Sequence, residues 1–388
     1  MATGTYNILM YSHDTYGLGH IRRTMAIATH LVAPDVNILI LTGSPIVGRF
    51  TFPEGIDFVR VPGMIKKTNS VYMPHSIKVN PKHAITIRKN IITATAQTFD
   101  PDLFIVDKVP VGLKGEVLPT LRWFRDHRPD TRIVLGLRDV LDDAESTRKE
   151  WRRKHFVEVL RDLYSEIWVY GEREMYDAVA EYDIPEDIEA KTVFTGYIPR
   201  KRPKKRSCRR KEKQVVVTIG GGGDGYQVLD NYLRMLETNG EVPFKTLMIT
   251  GPFLSPERLD ELACRAKRVK VRLVAFIKNI EKKLAGADLV VSMGGYNTIC
   301  EILSLKKPSL LIPRDHPRRE QLIRAQVLKD RGLVDYLEWG KVTPDAMREK
   351  IFALLDDSEA YVRAIEDFPM QGLERMHARL AAFREDGS

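Results

Sequence analysis

The stretch LVVSMGGYNTICE, Leu289–Glu301, joins an apolar run to a pair of glycines, then to small polar residues and a carboxylate. The run is short enough for a buried strand, and the residues after it have the composition of a tight turn into a helix, the βα step of a parallel sheet. Gly294 and Gly295 free the backbone amides, and Tyr296, Asn297 and Thr298 begin a helix whose positive end favours phosphate. Thr298 and Glu301 share a helix face through their i, i+3 spacing. A carboxylate there stands too close to phosphate to help bind it, yet it could accept hydrogen bonds from ribose hydroxyls. The combination suits a nucleoside diphosphate. Glu301 could equally do no more than answer the helix dipole.

Working outward, the same rhythm recurs along the chain. Apolar runs at Asn7–Tyr11, Val36–Leu41, Asp57–Val61, Leu103–Val106, Arg132–Leu137, Ile167–Tyr170 and Lys191–Phe194 alternate with segments of helical spacing such as Ile21, Met25, Ala28 and Leu31. After a break it restarts with Val215–Ile219, Lys245–Ile249, Val271–Ala275, Leu289–Val291 and Ser309–Ile312. This predicts an α/β protein of two Rossmann-like, doubly wound domains. The chain of 388 residues, 43% hydrophobic, is long enough for two cores. The expected layout is an acceptor domain at 1–199, a basic linker at 200–213, a donor domain at 214–370, and a helix at 371–388 that could cap either domain.

The break itself, RKRPKKRSCRRKEK at Arg200–Lys213, holds ten basic residues and one acidic residue. It accounts for the whole net charge of +9, because the remainder carries 51 of each sign. The high pI therefore describes one tract, which reads as a solvated linker, an anchor on anionic lipid or a nucleic-acid contact. Cys208, Cys264 and Cys300 stand far apart, so neither a disulfide framework nor a zinc cluster is indicated. The opening MATGTYNILMYS lacks the charged and apolar regions of a signal peptide, and no apolar run reaches membrane-spanning length. The expectation is a reduced, cytoplasmic protein, soluble or peripheral on the inner face of the membrane.

Ligands of open parallel sheets bind beyond the carboxyl ends of the strands, so the turns there are the candidate sites. After the first strand, SHDTYGLGH places Gly17 and Gly19 where a ligand could approach the backbone and His20 at a helix start, with His13 and Asp14 beside it. Glycines 220 to 223 (Gly220, Gly221, Gly222, Gly223) follow the first strand of the second half, costly in backbone entropy unless phosphate or sugar comes close. No Gly-Lys-Ser/Thr succeeds them, so this is not a Walker loop. His316, Glu320 and Gln321 lie after a later strand and offer hydrogen-bonding groups for sugar hydroxyls, or simply a polar helix start.

Taken together, Gly-x-Gly-His, the glycine-rich turn, Ala275-Phe276-Ile277, Gly-Gly-Tyr-Asn-Thr with Glu301, and His-Pro-Arg-Arg-Glu-Gln resemble a GT-B fold glycosyltransferase, most similar to the MurG-like enzymes of family 28. The resemblance is densest from about Val271 to Gly332. It implies two domains facing a cleft and a nucleotide-sugar donor, UDP-linked. Phe276 and Ile277 would border the uracil, Gly294 to Thr298 would hold the diphosphate, Glu301 the ribose, and Glu320 with Gln321 the donor sugar. His20 occupies the place of the histidine near the reacting centre. Arg324 stands where the MurG pattern has Asn, and Gly-Gly-Tyr replaces Ser-Gly-Ala, so the resemblance does not fix the sugar.

The expected reaction is displacement of UDP by an acceptor hydroxyl, with His20 as base and Asp14 or His13 orienting it or serving instead. Inversion is expected, since position 293, eight before Glu301, is Met where retaining enzymes of this architecture carry a second glutamate. No metal and no cofactor are expected, the helix end doing the cation's work. Two competitors share these features: a UDP-sugar 2-epimerase of the same fold, and a nucleotide- or lipid-binding module without catalysis. The acceptor, a lipid, glycan or small molecule, is not named by any motif. Pro62–Arg88 mixes basic residues with Val71, Tyr72, Met73 and Ile77, a composition that fits an acceptor loop, an anionic membrane contact or an ordinary surface loop.

Overall fold

In the computed structural model, which describes residues 5–14, 19–66, 71–203, 212–221 and 223–386, nine strands fall before the basic tract. They are β1 Tyr6–Ser12, β2 Val36–Thr42, β3 Ile56–Arg60, β4 Met64–Lys66, β5 Tyr72–Pro74, β6 Leu103–Asp107, β7 Arg132–Arg138, β8 Glu166–Tyr170 and β9 Thr192–Phe194. Six come after it: β10 Lys213–Thr218, β11 Phe244–Ile249, β12 Arg272–Val274, β13 Leu289–Ser292, β14 Ser309–Leu311 and β15 Asp335–Tyr336. The chain divides into two compact units, Met1–Ile198 with Gln371–Ser388, and Pro199–Met370.

The first unit is built on a seven-stranded parallel sheet ordered β3-β2-β1-β6-β7-β8-β9. Its strands read as continuous apolar runs because helices cover both faces; Leu9, Ile40, Phe104, Val134 and Ile167 are all fully buried. The order reverses between β1 and β6, which sets the ends of those two strands side by side at the edge where ligands bind. The helix Gly372–Asp386 belongs to this unit: it buries Met376, Leu380 and Phe383, with Phe383 stacked on Trp168 at 6.4 Å. Arg375 pairs with Glu172 at 2.8 Å, and Arg379 pairs with Glu166.

The second unit has a six-stranded parallel sheet ordered β12-β11-β10-β13-β14-β15. Its reversal lies between β10 and β13, so the turns after Thr218 and after Ser292 are neighbours. The core is again aliphatic, from Val215, Val217, Met248, Leu289 and Val291.

Two sequence expectations need correction. Pro62–Arg88 is not an irregular loop throughout: β4 and β5 pair antiparallel, Asn80 caps the helix Pro81–Phe99, and Arg88 is fully buried against Glu116. The basic tract is not wholly a solvated linker either. Arg200 is 8% exposed, and its backbone N–H donates to Ser304 Oγ at 2.8 Å; residues 204–211 lie outside the described set.

Candidate functional site

At the carboxyl end of β1 the chain turns into the helix Gly19–Leu31, and the side chains just past the strand are drawn inward. His13 and Asp14 are 5% and 4% exposed. Asp14 Oδ1 accepts the Ile21 N–H at 3.1 Å and Oδ2 accepts the Thr42 hydroxyl at 2.5 Å, so this carboxylate fastens the helix start to β2. Burial pushes its pKa up to about 6 against those hydrogen bonds.

His20, in the first turn of that helix, meets a partner from another strand. Its Nδ1 lies 2.5 Å from Oδ2 of Asp107, the last residue of β6. Two acceptor atoms would repel at that distance, so Nδ1 carries the hydrogen, and in the neutral ring Nε2 keeps its lone pair. His20 retains 15% of its side-chain exposure. Arg23, one helical turn on, pairs through Nη2 with Asp107 Oδ1, and the same nitrogen is 3.2 Å from His20 Nδ1. Burial acts to raise the Asp107 pKa, but Arg23 and His20 outweigh it and hold the carboxyl well below its usual range. Burial lowers the His20 pKa to about 4, with Asp107 opposing and Lys108 and Arg23 adding to the fall.

His13 sits edge-on to His20, ring centres 5.7 Å apart, and its Nδ1 is 3.3 Å from the Tyr11 hydroxyl. That hydroxyl donates to Glu116 Oε1 at 2.6 Å, and Glu116 is paired with Arg88 at 2.5 Å. Burial, with Lys108 adding to it, holds His13 well below the ordinary histidine range. The residue that orients His20 is thus Asp107, while Asp14 and His13 are engaged in caps and buried contacts of their own. Gly19 opens the helix; Gly17 falls outside the described residues.

In the second unit the turn after β13 is built as a cradle. Gly294 has φ +72, a conformation that favours glycine, and its N–H donates to Ser292 Oγ at 3.3 Å. Gly295 is the N-cap of the helix Tyr296–Leu305 and brings no side chain to that end, and no acidic residue lies in its first turn. A Cβ placed on Gly295 would meet nothing within 4 Å. Asn297 accepts a hydrogen bond from Arg200 Nη2 at 2.6 Å, which brings a buried cation to the same first turn. Thr298 is half-buried, and Glu301 is 1% exposed on the helix behind the turn.

The neighbouring turn after β10 carries Gly220, at φ +69, with Gly221 and an exposed Gly223; Gly222 lies outside the described residues. Phe276, just past β12, is 44% exposed, a flat apolar face at the same sheet edge, with Ile277 half-buried beside it. After β14, Arg314 ties the region together. Its Nη2 donates to Glu320 Oε1 at 2.6 Å, its Nη1 lies 3.1 Å from Asp224 Oδ2, and its backbone N–H donates to Gln321 Oε1 at 3.3 Å. Glu320 is buried and His316 exposed. Arg324, 1% exposed, donates from Nη1 to the Gly294 carbonyl at 3.2 Å, so the residue that departs from the family pattern holds the glycine turn.

Residues 215–378, which contain all of these second-unit turns, match the glycosyltransferase family 28 C-terminal domain. The chain resembles MurG-like glycosyltransferases over part of its length. Over 187 residues, 46% of its length and 46% of the relative's, it is 26% identical to the UDP-N-acetylglucosamine--N-acetylmuramyl-(pentapeptide) pyrophosphoryl-undecaprenol N-acetylglucosamine transferase of Clostridioides difficile (strain 630). Transferase 1 of the same description from Bacillus cereus (strain ATCC 10987 / NRS 248) is 28% identical over 148 residues, 38% of this chain and 41% of that protein. The chain thus spans less than half the length of the curated relatives it matches. Among solved structures, Acinetobacter baumannii MurG superposes with a TM-score of 0.63 at 13% identity, covering 97% of this chain and 99% of that one. The glycotransferase of kitacinnamycin gives 0.64 at 16%, covering 98% and 99%. Both likenesses speak for the fold, which is GT-B, with two Rossmann-like domains.

Asp107, Arg23, Arg200 and Arg314 were not legible as site residues. The one signal for Asp107 is that the wholly apolar run Leu103–Val106 ends in a carboxylate.

Proposed function

We propose that this MurG-like protein is an inverting, metal-independent glycosyltransferase that moves a sugar from a UDP-linked donor to a hydroxyl of a lipid-linked or glycan acceptor. The observation that carries the reading is the glycine turn Gly294–Gly295 leading into a helix start where Arg200 meets Asn297, within a family 28 domain. Its amides and the guanidinium would receive the diphosphate and stabilise its departure. Glu301 would take the ribose hydroxyls, Phe276 and Ile277 the base, and Gln321 with Glu320 the sugar, Arg314 fixing both side chains.

In the first unit His20 would act as the base. Its Nε2 removes the acceptor proton while Asp107 fixes the Nδ1–H tautomer and balances the imidazolium that forms. A single displacement at the anomeric carbon inverts its configuration. The curated relatives are named as acting on pyrophosphoryl-undecaprenol substrates, which is the ground for the lipid-linked acceptor.

Calorimetric titration with UDP, GDP and TDP, wild type beside Glu301→Ala, tests the donor site. UDP binding weakened by the substitution is expected. Binding of none of the three would dismiss the proposal.

A further inference from the structure

A buried histidine beside a buried carboxylate ordinarily makes a pair that is neutral as a whole only when the histidine is protonated. Here a third group alters that balance. Arg23 is 2% exposed, pairs with Asp107 Oδ1, and lies with its guanidinium 5.7 Å from the centre of the Tyr170 ring, so it is held in place from two sides. Arg23 and Asp107 already cancel each other. Protonating His20 through Nε2 then leaves an uncompensated positive charge among buried groups, which is costly where the effective dielectric is low.

We infer that Arg23 biases the charge state of His20: by sharing Asp107 with the buried imidazole, it helps to keep His20 neutral and its Nε2 free to accept a proton at neutral and mildly acidic pH. Arg23 is thus a positioning residue for the proposed base, and this inference rests on the functional reading above only in giving that neutrality a use. The other groups around His20 act in both directions. Lys108, next to Asp107 at the end of β6, adds positive charge that disfavours protonation of both His20 and His13. From β1, His13 is held neutral and Asp14 titrates near 6. Tyr170, from β8, has its pKa pushed up by burial and stays uncharged. The Glu116–Arg88 pair behind His13 cancels internally.

The experiment is a pH titration of the full chain carrying 13Cε1-labelled histidine, monitored by NMR, with the His20 signal assigned by its loss in His20→Gln. Wild type, Arg23→Gln and Arg23→Lys are compared. In wild type, His20 should titrate well below the ordinary value of about 6.5. Arg23→Gln should raise the midpoint by about 1 to 2 pH units, and Arg23→Lys should stay near wild type. A wild-type midpoint at or above about 6.5 overturns the inference even if no variant folds. An unmoved or lowered midpoint in Arg23→Gln overturns it, and so does Arg23→Lys titrating like Arg23→Gln. The base assignment fails separately: His20→Gln with wild-type turnover would dismiss the base and leave the titration result standing.

Discussion

His20 Nδ1 and Asp107 Oδ2, 87 residues apart in sequence, meet at 2.5 Å because β1 and β6 are neighbours at the point where the sheet order reverses. The pairing fixes the tautomer that leaves Nε2 as acceptor. Asp107→Asn can present its amide N–H to Nδ1 and so stabilise the opposite tautomer. Turnover should then fall by roughly 10²-fold or more, with UDP affinity in the second unit unchanged. Steady-state kinetics beside calorimetry of UDP would check this; equal losses in both would point to global damage instead.

The same pair predicts how stability varies with pH. His20 has its folded pKa lowered to about 4 against about 6.5 unfolded, so between those values the unfolded chain binds the extra proton. Stability from this residue is therefore present above about pH 6.5 and is lost as pH falls toward about 4. Asp14 works the other way in part of that window, since its folded pKa is raised to about 6 and the native state takes up the proton first. The total curve mixes both contributions, but a difference isolates one. Between about pH 7 and about pH 4.5, His20→Gln should lose less melting temperature than wild type; an equal or larger loss in the variant would show that the imidazole is not held neutral.

Arg88 and Glu116 form an ion pair with both side chains at 0% exposure, and Glu116 also receives the Tyr11 hydroxyl. Removing one partner leaves a buried charge with nothing opposite it. Glu116→Leu or Arg88→Met should each cost about 3 to 5 kcal/mol in urea unfolding, while the double variant should cost clearly less than the two together. Additive losses would mean that the two residues do not interact energetically.

The hairpin and turn before the helix Pro81–Phe99 expose Val71 and Ile77, at 45% and 43%, next to exposed Lys78 and Lys82. Exposed apolar residues with lysines close by in sequence suit an anionic lipid surface, each lysine adding on the order of 1 kcal/mol near it. Co-sedimentation with phosphatidylserine-containing vesicles should be salt-sensitive and reduced by Lys78→Glu with Lys82→Glu. Equal binding to neutral vesicles, or none to either, would remove the membrane from the account. Among the described residues no helix is long and apolar enough to cross a bilayer.

The sheets were legible because their strands are continuous apolar runs, so Val36–Leu41 becomes β2 and Leu289–Val291 becomes β13 with ends moved by a residue. β15 escaped notice because two residues, Asp335 and Tyr336, carry no period. The β4–β5 hairpin, with three residues per strand, escaped for the same reason. At the site, glycines and histidines announce themselves by local composition, whereas Asp107 acquires its place only from strand order. Arg23, Arg88 and Arg200 look like surface charge in the sequence. Only their partners, Asp107, Glu116 and Asn297, reveal them as interior groups.

Gly294 and Gly295 are adjacent, yet substitution should separate their roles. Gly294, at φ +72, lies in the left-handed region, and a Cβ there would stand 3.3 Å from Leu311 Cδ1. Gly294→Ala should therefore destabilise the second unit by about 1 to 2 kcal/mol. Gly295 has φ −61 and ψ 145, which any residue adopts, and its Cβ would meet nothing within 4 Å. Gly295→Ala should cost only the weaker capping by alanine, about 0.5 to 1 kcal/mol, and weaken UDP binding about tenfold, because the new methyl stands where the diphosphate must approach the amides of Tyr296 and Asn297. If Gly295→Ala bound UDP as wild type does, the start of that helix would not be the diphosphate site, and the donor would have to sit elsewhere on the sheet edge.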